Sequence, residues 1–168
     1  MNYILETERL KVRWFNSNDT EFIIELLNSS DWIKFIGDRN VKTEDQARKY
    51  LESGPLKSYA DNGFGLSLVE LKDEAIPIGM CGILKREHLD NADIGFAFLP
   101  EFIGKGLAFE AAKATIIYAG NTLQLPEILA ITLPDNKPSI KLLEKIGMKF
   151  IRTFHFPNDN VILSLYSN

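Results

Sequence analysis

Leu10, Val12 and Trp14 alternate with Lys11 and Arg13, the period of a half-buried strand. The period then lengthens. Phe22, Ile23, Leu26 and Leu27 fall on one face of a helix that Asn18 or Asp19 can cap. Thr43 and Gln46 form a capping-box pattern at the start of a second helix with Ala47, Tyr50 and Leu51 as its apolar stripe, and Gly54-Pro55 is expected to end it. Three strand-like runs follow. Phe64, Leu66 and Leu68 alternate with small polar or glycine positions, Ile76 to Leu84 is nearly continuous, and Ile94, Phe96 and Phe98 alternate with Asp93, Gly95 and Ala97.

After this antiparallel meander the pattern changes again. Gly104-Lys105-Gly106 leads into an alanine-rich helix from Leu107 to Ala119, and Glu127 to Leu133 reads as a strand. Asp135 or Asn136 caps a further helix, with Pro138 in its first turn and Gly147 beyond its last. Lys149 to Phe156 and Val161 to Tyr166 close the chain as a hairpin around residues 157–160. The expected order is β-α-α-β-β-β-α-β-α-β-β. It predicts an α/β fold in which residues 1–168 form a single domain: a mixed, mostly antiparallel sheet with a parallel central strand pair at the glycine turn, flanked by helices.

Composition narrows the function. The net charge of −4 supplies no basic field for nucleic acid or an anionic membrane, and no apolar run has the length of a membrane span. A single cysteine, Cys81, rules out an intramolecular disulfide, and MNYILETERL has no signal-peptide pattern, so a cytoplasmic protein is expected. His88 and His155 have no metal-ligand partner at useful spacing, and no metal is expected. Nothing in the pattern decides between a monomer and a homodimer.

The chemistry concentrates in Asp93 to Ala111, DIGFAFLPEFIGKGLAFEA. Two glycines between a strand and a helix let backbone N–H groups converge, and a helix start adds partial positive charge, which suits a phosphate or pyrophosphate. A P-loop would need Lys-Ser or Lys-Thr after its last glycine, but Gly106 is followed by Leu107-Ala108. A dinucleotide fold would place its glycines after the first strand and an acidic residue at the end of the next; here the turn is late and the next strand ends in Thr132-Leu133. Asp93, on the face of the small residues Gly95 and Ala97, is a candidate base for an incoming ammonium or an exposed strand-end aspartate. Glu87 and Glu101 compete with it.

Four segments carry a family resemblance: Leu5-Glu6-Thr7-Glu8-Arg9-Leu10, Pro77-Ile78-Gly79 with Gly82, Phe102 to Ala111, and Asn136 to Gly147, which reads NKPSIKLLEKIG. In order and separation they resemble the GNAT superfamily of acetyl-CoA-dependent N-acetyltransferases, and within it the RimJ/RimL-type branch of ribosomal-protein N-terminal acetyltransferases. The resemblance implies transfer of acetyl from acetyl-CoA to a primary amine, either a peptide or protein α-amine or a small molecule. It implies that backbone groups of Phe98 and Leu99 hold the pantetheine arm. It assigns the pyrophosphate to Gly104, Lys105, Gly106, Leu107 and Ala108, and it places Asn136 and Ser139 on the helix facing the thioester. Trp32, Phe35 and Ile36 fall where the family walls its acceptor pocket, with Asp31 or Asp38 at the rim, although plain core packing would use the same residues.

Two positions depart from the family. Phe102-Ile103 stands where the branch often has Tyr-Trp, and Leu143 stands where many members carry a tyrosine that protonates the departing thiolate. That loss motivates an alternative, a non-catalytic coenzyme A-binding sensor. It does not force it. A thiol with a reference pKa of about 8.5 leaves readily, whereas proximity supplies ~7–11 kcal/mol and one oxyanion donor ~3–4 kcal/mol. Ser139 is the candidate to relay a proton in place of the tyrosine, or it satisfies local backbone. No Cys-His or Ser-His-Asp set offers a nucleophile, so direct attack without an acyl-enzyme is expected. Cys81 reads as core. Lys137, Lys141 and Lys145 line one helix face, solvated or near cofactor phosphates.

Overall fold

A computed structural model of the chain describes residues 3–168. Eight strands form one sheet in the order β1-β2-β3-β4-β5-β6-β8-β7. They are β1 (Tyr3–Glu6), β2 (Leu10–Trp14), β3 (Leu66–Leu71), β4 (Pro77–Leu84), β5 (Asp93–Phe98), β6 (Leu129–Thr132), β7 (Lys149–Phe154) and β8 (Leu163–Ser167). All neighbours are antiparallel except β5 and β6. The helices are α1 (Thr20–Leu27), α2 (Ser30–Phe35), α3 (Glu44–Leu51), α4 (Lys57–Asn62), α5 (Leu107–Asn121) and α6 (Lys137–Lys145).

The expected mixed sheet with its parallel pair is present, and three elements were not expected. β1 pairs with β2 at the sheet edge, although Tyr3-Ile4-Leu5-Glu6 shows no alternation. α2 follows α1 with almost no gap. Gly54-Pro55 does not stop the third helical region: residues 52–56 widen into a π-helical turn that carries the buried Pro55, and α4 continues to Gly63. A wider turn removes the clash between a proline ring and the preceding turn of a normal helix. The capping box at Thr43 is formed, with Gln46 N–H donating to the Thr43 hydroxyl and the Gln46 side chain accepting from the Thr43 N–H.

Both sheet faces are covered. α5 and α6 lie on one, where Ala111, Ala112, Ala119 and Leu143 join Leu10, Val12, Ile83 and Ile94 in one core. The small alanines let α5 approach the strands closely. α1 to α3 cover the other face, where Ile23, Leu26, Leu27 and Leu51 pack on Leu68 and Met80. β4 is therefore buried on both faces, which accounts for its nearly continuous apolar run. Among the described residues no helix is long and apolar enough to cross a membrane.

Candidate active site

β5 and β6 are joined by a single bridge, Asp93 opposite Leu129, with the Leu129 N–H donating to the Ala92 carbonyl at 2.9 Å. Beyond that bridge the strands part, and a cleft of about 1200 Å³ opens between them. It exceeds the usual span of small-molecule sites, ~300–1,000 Å³.

The strand edge beside the cleft is unpaired. Leu99 N–H donates to the Ile78 carbonyl at 2.9 Å, so the backbone groups of Leu99, Ala97, Gly95 and Asp93 point toward β4. By alternation those of Ile94, Phe96 and Phe98 point toward the gap. The Leu99 carbonyl also accepts from Phe102 N–H at 3.0 Å, and its side chain lies in the core below α1 to α3. Both backbone groups of Leu99 are thus bonded within the protein, contrary to the strand-edge role expected for it, while Phe98 and Phe96 keep theirs toward the gap.

At the far end of β5 the chain turns through Pro100–Phe102 into the glycine loop. Gly104 and Gly106 both have φ +78, in the left-handed region that a side chain disfavours. The first bond of α5 runs from Glu110 N–H to Gly106 carbonyl, so the N–H groups of Leu107, Ala108 and Phe109 precede the helical ladder. Gly104, Gly106 and Ala108 line the cleft. The Leu107 side chain is buried in the core, and Lys105 lies with its ammonium 5.4 Å from the Phe102 ring centre. Leu107 can therefore serve the loop only through its backbone, whereas the Lys105 side chain is exposed. An open strand edge that ends at convergent N–H donors fits the arm and pyrophosphate of coenzyme A, and a Cβ built on Gly104 would meet no protein atom within 4 Å.

The glycine loop is tied from behind by residues to which the sequence alone gave no role. Glu110 accepts from the Thr7 hydroxyl at 2.6 Å, the Arg9 N–H at 2.8 Å and Arg9 Nε at 2.7 Å, and Arg9 Nη1 donates to the Lys105 carbonyl at 3.0 Å. Burial pushes the Glu110 carboxyl up, but the bonds from Thr7 and Arg9 outweigh it and hold the group below its ordinary range. The Thr7-Glu8-Arg9 segment thus fastens β2 to the first turn of α5. Its only sequence signal was membership of a family motif.

Asn136 caps α6, its side-chain oxygen accepting from Ser139 N–H at 3.3 Å. Both residues line the cleft, and the Ser139 hydroxyl has no partner among the described residues. Leu143, also on the cleft, is buried and brings no proton donor. Lys141 and Lys145 border the same space, with Lys145 4.4 Å over the Phe109 ring.

Asp93 differs from its expectation. It lines the cleft at the fork, but it has no exposed surface, and Arg86 Nε donates to both its oxygens at 2.9 and 3.0 Å. It is neither an exposed strand-end carboxylate nor one that can touch an incoming ammonium directly. Burial pushes its pKa up, and Arg86 only partly restores the charged form. The hairpin register brings this pair together: Leu84 opposes Asp93, so Arg86 just beyond one strand end reaches the first residue of the next. Glu87 and Glu101 are exposed and stand outside the cleft.

Trp32, Phe35 and Ile36 line the other wall, together with Asp31 and Tyr50. Trp32 is buried, and its indole N–H has no partner among the described residues. Asp38 does not belong to this wall. Its carboxylate accepts from Asn40 N–H at 2.7 Å and faces Lys42 at 3.6 Å, which holds it in an exposed turn. Cys81 is fully buried beside the Thr115 hydroxyl, and burial pushes its thiol up to about 12. A thiol that stays protonated offers no nucleophile. Among the described residues no group of histidines, cysteines and carboxylates is placed to hold a metal.

Residues 9–149 match the acetyltransferase (GNAT) domain family. Among curated proteins, the N-acetyltransferase YnaD of Bacillus subtilis (strain 168) is 32% identical over 145 residues, covering 86% of this chain and 82% of its own. The solved acetyltransferase (GNAT family) of Bacillus anthracis is 30% identical with a TM-score of 0.80, covering 97% and 96% of the two chains. A RimL ribosomal L7/L12 α-N-protein acetyltransferase solved with coenzyme A shares the fold at TM-score 0.84, with 14% identity over 99% and 97% of the two chains.

Proposed function

The chain belongs to the acetyltransferase (GNAT) domain family and is an acyltransferase, and from that premise we propose that it moves acetyl from acetyl-CoA to the α-amine of a peptide or amino-acid-like acceptor. The observation that carries this reading is the unpaired edge of β5 running into the Gly104–Ala108 loop, with a second wall across the cleft for another substrate.

Acetyl-CoA supplies an activated acyl carbon on a good leaving group. The protein's own residues hold and orient. Phe96 and Phe98 offer strand-edge N–H and carbonyl groups to the amide-bearing arm, while the loop and the α5 N–H groups take the pyrophosphate. Lys141 and Lys145 stand where further phosphate charge can be met. The Ser139 hydroxyl relays a proton from water to the departing thiolate from the α6 side, taking one proton as it gives one and ending neutral. The amine attacks directly, since the one cysteine is buried and protonated. Proximity is the main source of rate.

An α-amine, with a reference pKa of ~7.7–8.0, is partly free at neutral pH, whereas a lysine-type amine near 10.4 is almost wholly protonated. A site whose cleft carboxylate at the fork is sealed by Arg86 suits the first, which can release its proton to water. The RimJ/RimL-type branch, acting on protein N-termini, is part of this proposal, as is a cytoplasmic setting. Purified protein is to be mixed with acetyl-CoA and a short peptide, the same peptide N-terminally blocked but carrying lysine, and spermidine, and thiol release followed. The free N-terminus should be acetylated fastest. Equal rates on the blocked peptide or spermidine would overturn the α-amine assignment.

A further inference from the structure

At the acceptor end of the cleft one guanidinium is only half used. Arg86 lines the cleft, its side chain 37% exposed, and its Nε is committed to both oxygens of the buried Asp93. Its two terminal nitrogens have no partner among the described residues. A guanidinium offers a carboxylate two docking edges, one through Nε and a terminal nitrogen and one through the two terminal nitrogens. Asp93 takes the Nε–H of the first side with both its oxygens. The end-on pair stays available, and an arginine held by a buried anion has already lost the freedom that binding would otherwise cost.

The other charges that line the cleft, Lys141 and Lys145 among them, sort the possible ligands. Arg39 and Lys34 share this cleft with Arg86, while Asp31 and Asp159 are its remaining carboxylates. A polyamine would find Asp31 and Asp159 but would have no hydrogen-bond acceptor for Arg86, and its charge would be repelled. A ligand with an ammonium and a carboxylate satisfies both signs.

We infer that Arg86 binds a carboxylate of the acceptor, so that the protein acetylates amines which also carry an acidic group. This rests on the α-amine reading above. The carboxylate can belong to a free amino acid or to an acidic side chain next to a peptide N-terminus, and the two sources are separable.

The test measures kcat/KM with saturating acetyl-CoA on matched pairs: phenylalanine against phenylalaninamide, and the peptide Ser-Asp-Ala-Ala-amide against Ser-Asn-Ala-Ala-amide. The carboxylate member of one pair should be favoured roughly tenfold to a hundredfold. Preference in the first pair identifies a free amino acid, and in the second an acidic peptide. Arg86→Gln should collapse that ratio toward one, chiefly through KM, and Arg86→Glu should turn it toward a Ser-Lys peptide. A second reading needs no turnover. Calorimetric titration of the coenzyme A-loaded protein with the same ligands should show the same preference, lost in Arg86→Gln. A wild-type ratio near one, or a preference that survives Arg86→Gln, overturns the inference and leaves α-amine transfer intact. Equal transfer to a blocked lysine peptide, with the carboxylate preference retained, breaks the α-amine reading and leaves the anion site.

Discussion

Two arginine–carboxylate pairs flank the site, one behind the glycine loop and one at the fork of β5 and β6, and their carboxylates shift in opposite directions. At the cofactor end Glu110 accepts from Thr7, from the Arg9 backbone and from Arg9 Nε, and these donors hold its pKa down despite burial. At the fork Asp93 has, among the described residues, only Arg86 Nε from another residue and no exposed surface, and burial wins. The count of donors, weighed against loss of water, decides the sign. The difference also has a functional side. Arg9 spends its guanidinium on Glu110 and the Lys105 carbonyl and so fixes a loop, whereas the terminal nitrogens of Arg86 have no partner among the described residues.

The largest effect expected at the cofactor end comes from the backbone these contacts support. Gly106→Val puts a β-branched residue at φ +78, a conformation that costs a non-glycine residue ~1–3 kcal/mol. The nearest protein atom to an added Cβ is Arg9 Nη2 at 3.5 Å, an ordinary contact, so the penalty is conformational. Coenzyme A affinity should fall about tenfold or more, measured by calorimetry on protein shown to be folded. Gly106→Asn, which tolerates this conformation better, should recover part of it. Unchanged affinity in the valine variant would remove the loop from the site.

The two carboxylates can be set against each other by the same chemical change. Asp93→Asn should leave the melting temperature at pH 7 unchanged or slightly higher, because the wild-type group is charged at a cost. Its raised folded pKa means that its contribution is fully present below the unfolded value near ~3.9 and is lost as pH rises through the folded value. The same variant leaves Arg86 Nε one uncharged acceptor and holds it less firmly, so KM for the acceptor should rise several-fold while coenzyme A affinity holds.

Glu110→Gln should do the reverse. Its folded pKa is lowered, so the contribution is present above the unfolded value near ~4.3 and disappears as pH falls through the folded value. With Arg9 nearly half exposed the loss should be modest, about 1 kcal/mol, or a drop of ~2–4 °C at pH 7 that shrinks in acid. Coenzyme A should bind a few-fold more weakly. If both variants shift stability in the same direction, donor count is not what separates the two ends.

These ends were unequally legible in the sequence. The cofactor half is local: β5, two glycines and the α5 start lie in one stretch from Asp93 to Ala111, so period, glycine spacing and family motif all report on it. Even there the backbone of Leu99 is bonded to Ile78 and Phe102 against expectation, because alternation does not say which edge of a strand is already paired. The proposed acceptor wall is assembled from α2 and the end of β4, which no short window contains. Asp38 sits near Trp32 in the chain yet turns to Asn40 and Lys42. Pairing of Arg86 with Asp93 follows from hairpin register, which needs the turn between β4 and β5 to be known. The π-helical passage through Pro55 had no pattern to announce it, since Gly-Pro more often ends a helix.

Ser139 lies between the two ends, and its replacement should have the smallest effect. Its backbone N–H is bound to the Asn136 side chain, so Ser139→Ala keeps the α6 cap and removes only a hydroxyl that has no partner among the described residues. A thiolate derived from a thiol of pKa ~8.5 needs little protonation to depart, so the cost should be far below the ~100- to 10,000-fold of a full general acid. A fall in kcat of about two- to fivefold, with acetyl-CoA affinity unchanged, is expected from single-turnover and binding measurements made on the same preparation. A loss in affinity that matches the loss in kcat would make Ser139 a binding contact. An unchanged kcat would mean that water protonates the sulfur, and Leu143 would then mark a site that works without any side-chain acid on α6.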